Sequence, residues 1–435
     1  MNKKLSTQPY KGSRDFYPAD MRVRNYIFDT WREVCKSYGY EEYDGPFLEP
    51  FDLYAAKSGE ELVNEQLYSF EDKGGRKVAI RPEMTPTLAR MVAGKYKELD
   101  RPIRWFCIPN FWRYEKPQKG RLREFFQLNI DVLGVSGPEA DFEVLSIAID
   151  IMKRFGADEK MFELRINDRR FMEAFYADLG LNGAQITGLN KILDKKTKLP
   201  EKEFADYLSK DSELDKNQLT ELQKLLDNPT KILQEYAEKG NEGAKSVNFV
   251  LIMAEKAGTE RFIKFDPSIV RGLDYYTGTV FEQFDLTPDN NRAMFGGGRY
   301  DGLVSIFVDE EIPATGLAIG DVTFLNFLES WNLLPTLPNQ VDYLITRWPG
   351  ESEKENKQYA EVTQEVARVL REEGNTVETW LDGDTKLDKQ LKYADKKGVS
   401  SAVIVGPDEL KKGEITIKDL KTGKQETKLL QSSTS

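Results

Sequence analysis

A chain of 435 residues is long enough for two or three domains with real cores, and 40% hydrophobic with 31% charged residues is ordinary for a globular protein. The net charge of −11 argues against indiscriminate polyanion binding, which Lys and Arg supply, but leaves room for a local basic face. No stretch approaches the ~18 apolar residues of a membrane span, and residues 1–20 lack the apolar core of a signal peptide. Cys35 and Cys107 are far apart and in no metal spacing, so they read as buried or free thiols of a reducing, cytoplasmic setting. Histidine is absent, where a usage of about 2% would give roughly nine. There is thus no His base, no His metal ligand and no Ser-His-Asp triad.

In chain order, residues 21–38 place Tyr26, Ile27, Trp31 and Val34 at helical intervals, with Gly39 as the stop. Residues 40–48, 77–81, 103–114 and 125–133 read as strands, and 136–154 as a helix capped by Ser136. From 168 to about 256 the texture turns to Leu, Lys and Glu, with Leu219, Leu222, Leu225 and Leu226 on one helical face. This reads as a separate helical insertion, 168–258. Strand-like sequence resumes at Arg261 and runs through Phe284, and a glycine cluster, Gly296-Gly297-Gly298, follows.

Residues 334–340, with Pro335 and Pro338, read as a linker. Beyond it 341–346, 360–373, 376–380, 386–397 and 401–405 alternate strand and helix, which implies a small domain, 334–435, with a largely parallel sheet. The tail from Ser432 is expected to be disordered. The class is α/β overall, with divisions at 1–167, 168–258, 259–333 and 334–435.

Two stretches carry chemistry. Val270-Arg271-Gly272-Leu273-Asp274-Tyr275-Tyr276-Thr277-Gly278-Thr279-Val280-Phe281-Glu282 alternates like a strand and joins a cation, phenols and carboxylates. Arg offers a planar fork for phosphate or carboxylate, and Tyr a hydroxyl on an aromatic wall. The run is either an amphipathic strand with an exposed Arg or a site for an anionic, polar, ring-bearing ligand. The second stretch is Phe111-Trp112-Arg113-Tyr114-Glu115, a basic loop 116–123, then Phe125-Phe126-Gln127-Leu128-Asn129-Ile130-Asp131. It reads as a hairpin, either solvated or suited to phosphate and RNA contact. Gln127 and Asp131 are four apart on a strand and therefore share a face.

These strings resemble the signatures of the histidyl-tRNA synthetases, a family of class II aminoacyl-tRNA synthetases, over nearly the whole chain apart from the insertion. The resemblance implies a mostly antiparallel catalytic sheet flanked by helices. The 111–131 stretch is similar to motif 2. That likeness implies Arg113 on the ATP α-phosphate and the amino-acid carboxylate, Gln127 and Asp131 in the histidine pocket, and Arg121 among the ATP-binding residues. It also implies Lys116 and Gln118 at the tRNA acceptor end, where they would read an extra 5′ guanosine. Arg81-Pro82-Glu83-Met84-Thr85 resembles a second element, with Met84 where the family has Gly. Glu83 and Thr85, with Met84 between them, are implied for the α-amino group.

By the same likeness Arg271 stands opposite Arg113 as a catalytic residue, Tyr276 touches the imidazole and Tyr275 lines the pocket. Residues 38–49 resemble motif 1, the dimer interface of the class, and 11–18 its usual start. Gly296 to Asp301 matches an element in which backbone packs close to the ligand; it is not a P-loop, because no Lys-Ser/Thr follows. Residues 389–394 and 405–410 resemble the anticodon-binding domain shared by the histidyl, prolyl, threonyl and glycyl enzymes. One departure stands out. Thr323 occupies the place of the motif 3 arginine that binds the γ-phosphate, with Arg292 and Arg299 as candidate substitutes.

The implied activity is ATP-dependent formation of histidyl-adenylate and transfer to histidine tRNA. Its implied cofactors are ATP with Mg²⁺, its partners L-histidine, histidine tRNA and a second copy in a homodimer, and it has no protein metal site. The alternative is a non-catalytic paralogue that senses histidine or uncharged tRNA, which only Thr323 favours. A prolyl or threonyl enzyme does not explain Gln127, Asp131 and Tyr276 together. With no protein His, a rate transition near pH ~6–7 is assigned to the substrate imidazole. A histidine-free enzyme of histidine charging can also be made when charged histidine tRNA is scarce. Pulse labelling during histidine starvation is expected to show its synthesis falling less than that of average proteins; an equal fall contradicts this.

Overall fold

Helix α1 (Pro18–Ser37) begins at a proline, where a missing N–H costs nothing, and the Asp20 carboxylate accepts from the Tyr17 N–H at 3.0 Å. It buries Ile27, Phe28, Trp31, Val34 and Cys35 along one face, and Gly39 leaves it at φ +78°. The computed structural model describes residues 4–56, 62–196, 199–270, 275–287 and 293–429. These form two compact units, Met1–Leu334 and Pro335–Ser435.

Residues 40–48 form no continuous strand. They hold β1 (Glu41–Glu42) and only the first residue of β2 (Leu48–Pro50), because Gly45 and Pro46 interrupt the pattern. After α2 (Phe51–Ala55), β3 (Ser69–Glu71) and β4 (Lys77–Ile80) pair with β2 in a small antiparallel sheet, order β2-β4-β3. Helix α3 (Thr85–Lys95) follows. The strand expected over 103–114 is two, β5 (Ile103–Cys107) and β6 (Asn110–Trp112), divided at Pro109, which has no N–H to give a ladder. Next come β7 (Glu124–Leu133) and α4 (Pro138–Arg154). Pro138 opens α4, so the cap falls on Gly137 rather than Ser136.

β8 (Phe162–Asp168) leads into α5 (Arg169–Asp178), α6 (Gly183–Leu193), α7 (Glu201–Asp211), α8 (Lys216–Asp227), α9 (Pro229–Glu238) and α10 (Glu242–Ala257). The chain returns as β9 (Ile263–Phe265), β10 (Thr279–Asp285), β11 (Ala293–Arg299), β12 (Ala314–Gly320) and α11 (Asp321–Ser330). Between β9 and β10 the described residues are turn and loop, not the continuous strand that alternation predicts.

The main sheet runs β1-β5-β7-β12-β11-β10-β8-β9, with β6 added to β7. Its pairs are antiparallel except at the two edges, β1 with β5 and β8 with β9. Phe171, Leu193, Leu222, Leu225 and Val247 of the helical stretch lie in one apolar cluster with Ile130, Leu164 and Phe281 of the sheet. The helices and the sheet therefore bury one core together.

The second unit holds β13 (Tyr343–Ile345), α12 (Glu353–Glu372), β14 (Val377–Thr379), α13 (Leu387–Lys397), β15 (Ser401–Ile404), α14 (Pro407–Lys412), β16 (Glu414–Asp419) and β17 (Gln425–Leu429). Its sheet runs β14-β13-β15-β16-β17; the first three strands are parallel and the last two antiparallel. The final hairpin escapes sequence reading because β17 is polar and exposed along its whole length. Ser432 to Ser435 lie outside the described residues. No described helix is long and apolar enough to cross a membrane.

Candidate active site

One face of the main sheet, together with the hairpin loop between β6 and β7, encloses a cavity of about 1590 Å³. Common small-ligand pockets hold ~300–1,000 Å³, so this one has room for two ligands side by side. Its floor is set by register. Gln127, Asn129 and Asp131 alternate along β7 and all line the cavity, as period two requires. Opposite them on β12 stand Gly320, Ala318 and Gly316, residues that leave the space above the sheet open.

Gly316 is required by close approach. A Cβ there would lie 2.2 Å from Asp131 Oδ1 and 2.7 Å from the Ile130 carbonyl. Gly316→Ala is therefore expected to destabilise the protein by roughly 1–3 kcal/mol through overpacking. Equal melting temperatures for the two proteins contradict this.

The carboxylates of the site are deeply set. Asp131 is 4% exposed and accepts a hydrogen bond from the Tyr300 hydroxyl. Burial pushes its carboxyl up to about 7, against the downward pull of that hydrogen bond. Glu83 is also buried and accepts from the Tyr275 hydroxyl at 3.3 Å. Tyr275 meets Tyr276 edge to face at 5.1 Å and Tyr300 at 5.8 Å, so the three rings form one aromatic wall. Burial, then the negative charge of Glu83 for Tyr275 and Tyr276 and of Asp131 for Tyr300, raises all three phenol pKa values. They stay protonated and can donate.

Cations line the same cavity. Arg113 lines the cavity, with its Nε donating to the Pro82 carbonyl at 2.9 Å and its guanidinium 5.3 Å from the Phe125 ring. Lys119 and Arg121, on the loop closed by the Gln118–Arg121 bridge, line it as well. Arg121 reaches Glu115 at 3.4 Å.

The expected site residues thus come together for the most part. Glu83, Thr85, Arg113, Gln118, Arg121, Gln127, Asp131, Tyr275 and Tyr276 all line this cavity. Met84 does not. It takes an ordinary helical backbone conformation at φ −101°, and its side chain is buried against Cys107 and Phe111. Lys116 is exposed and not part of the lining. Arg271 and Arg292 lie outside the described residues.

Arg299 is no substitute for the missing motif 3 arginine. It is 2% exposed, paired with Asp141 at 3.1 Å, and donates to the Val135 and Gly137 carbonyls. Thr323 lines the cavity, its hydroxyl donating to the Met294 carbonyl at 3.0 Å. Sequence reading missed Tyr300 and Asn129. Tyr300 sits in the Gly-Gly-Gly-Arg-Tyr-Asp string, where the glycines drew attention instead, and Asn129 follows from period two between Gln127 and Asp131.

Residues 12–322 match the family model described as histidyl-tRNA synthetase, and 350–432 that of an anticodon-binding domain. The chain belongs to the histidyl-tRNA synthetase family. A histidine–tRNA ligase from Leptospira biflexa is 45% identical over 98% of this chain and 95% of its own length. One from Haloarcula marismortui is 38% identical over 95% of this chain and 94% of its own. Among solved structures, the histidyl-tRNA synthetase from Nostoc sp. PCC 7120 superposes with a TM-score of 0.80 at 26% identity, covering 98% of this chain and 97% of that one. These synthetases match through the catalytic unit and the C-terminal unit alike.

Proposed function

We propose that this chain is a histidine–tRNA ligase that activates L-histidine with ATP and transfers it to the 3′ end of histidine tRNA. The observation that carries the reading is that one cavity gathers buried carboxylates, phenols and arginines among its lining. Histidine is cationic at its α-amino group, anionic at its carboxylate and polar at its ring; ATP is anionic. In this reading Glu83 and Thr85 hold the ammonium. Asp131, ionised, accepts an imidazole N–H, with Tyr276 and Gln127 beside the ring. Tyr275 lines the pocket and steadies Glu83.

Arg113 spans the two substrates. Its fork meets the amino-acid carboxylate and the α-phosphate, where negative charge builds as the carboxylate attacks phosphorus and pyrophosphate leaves. Arg271 is its expected counterpart across the phosphate. ATP enters as its magnesium complex, the metal travelling with the substrate. Arg121 and Lys119 are the described cations placed to meet the distal phosphates, the work that Thr323 cannot do. Gln118, at the mouth, and Lys116, on the exposed side of the loop, are placed for the tRNA acceptor end. The C-terminal unit takes the anticodon, and the protein works as a cytoplasmic homodimer.

The test is charging. Purified protein, ATP, Mg²⁺ and labelled histidine are expected to yield acid-precipitable label on histidine tRNA and none on other tRNAs. Histidine binding without any charging would support the sensor reading instead.

A further inference from the structure

The corner where β8 passes into α5 grips both approaches to the pocket tyrosines. Asn167, 1% exposed, donates from Nδ2 to the carbonyls of Pro267 at 3.2 Å and Ile269 at 3.1 Å. Its own Oδ1 accepts from the Asp168 N–H at 2.8 Å, which fixes the amide. Two residues on, the Arg169 guanidinium donates to the Tyr276 carbonyl at 2.7 Å, and the Arg169 backbone N–H donates to the Gly278 carbonyl at 3.0 Å. The β8–β10 ladder ends at Asp168 and Thr279, so Tyr276 lies beyond it on a loop. There a charged donor on its carbonyl makes a stronger hold than a neutral one. Ile269 also packs in one apolar cluster with Tyr276, Val280 and Phe284. Holding the Ile269 carbonyl holds the surface on which the Tyr276 ring rests.

We propose that Asn167 and Arg169 are positioning residues that set where the Tyr275 and Tyr276 rings stand, and through them the affinity for the ring of the amino-acid substrate rather than for the nucleotide. The proposal rests on the reading of Tyr276 as a ring contact. The test uses the full chain and histidine-dependent pyrophosphate exchange. Arg169→Met, which keeps the stem and removes the donors, is expected to raise the KM for histidine about tenfold, as loss of one charge-assisted hydrogen bond does. The KM for ATP moves less than about twofold, and Arg169→Lys, which keeps a charged donor, restores most of the loss. If Arg169→Met does not fold, Arg169→Gln is read by the same criteria.

An unchanged histidine KM, an equal rise in both KM values, or a change in melting temperature alone overturns the proposal. Tyr276→Leu measured in parallel separates the failures. If it too leaves the histidine KM unchanged, the site reading is at fault. If it raises that KM while the Arg169 variants do not, only the positioning role falls.

Discussion

Arg113→Ala is expected to lower the kcat of histidine-dependent pyrophosphate exchange by roughly 10²–10³, the usual loss when one fixed donor to a developing oxyanion is removed. The argument starts from how the side chain is held. Its Nε is committed to the Pro82 carbonyl and its plane to the Phe125 ring, so the guanidinium stands ordered before any substrate arrives. An ordered fork spends little entropy on meeting a phosphate, and its work falls in the transition state rather than in ground-state binding. Arg113→Lys keeps the charge but loses the fork, and is expected to recover only part of the rate. An Arg113→Ala enzyme with parental kcat would remove this residue from the chemistry.

Asp131→Asn is expected to raise the KM for histidine by roughly 10- to 100-fold, because an amide replaces the ionised acceptor of a charge-assisted hydrogen bond. It also changes the response to pH. The buried carboxyl has its pKa raised to about 7, whereas in an unfolded chain it titrates near ~4. Between those values the folded state binds more protons than the unfolded one, so this group's contribution makes the free protein less stable as pH rises through the window. A shift of about three units corresponds to a loss on the order of 4 kcal/mol. Asp131→Asn removes the slope, and its melting temperature relative to the parent is expected to climb between pH 5 and pH 8. A constant difference across that range contradicts the buried, protonated carboxyl.

The same carboxyl adds a second candidate for any rate transition near neutrality. Absence of histidine from the chain leaves the substrate imidazole as the first candidate, and burial raises the Asp131 carboxyl to about 7, into the same range. The kcat/KM profile reports free enzyme and free substrate together. Asp131→Asn is therefore expected to leave a single transition that follows the ring pKa of histidine analogues.

What could be read from the sequence had local causes. Gln127 and Asp131 share a strand, so spacing alone put them on one face, and the structure places both on the cavity floor. Helix α1 could be read from its apolar repeat, although Pro18 starts it earlier than that repeat does. The misreadings came where tertiary contacts decide. Met84 follows Glu83 directly, yet the start of α3 turns its side chain into the core. Arg299 looked like a spare cation, but its buried partner Asp141 lies far away in sequence and carries no signature. Tyr300 reaches Asp131 from another strand end, a pairing that only the sheet order creates. The helical insertion is a different case: its own periodicity is strong, and its apolar faces also join the core of the sheet.

Pyrophosphate exchange with each of the twenty amino acids offered separately, in ATP and Mg²⁺, tests the central claim most directly. Exchange with histidine alone is predicted, and it would also show that Thr323 is tolerated in place of an arginine. A folded protein that binds histidine but exchanges pyrophosphate with no amino acid would contradict the ligase and leave a histidine sensor.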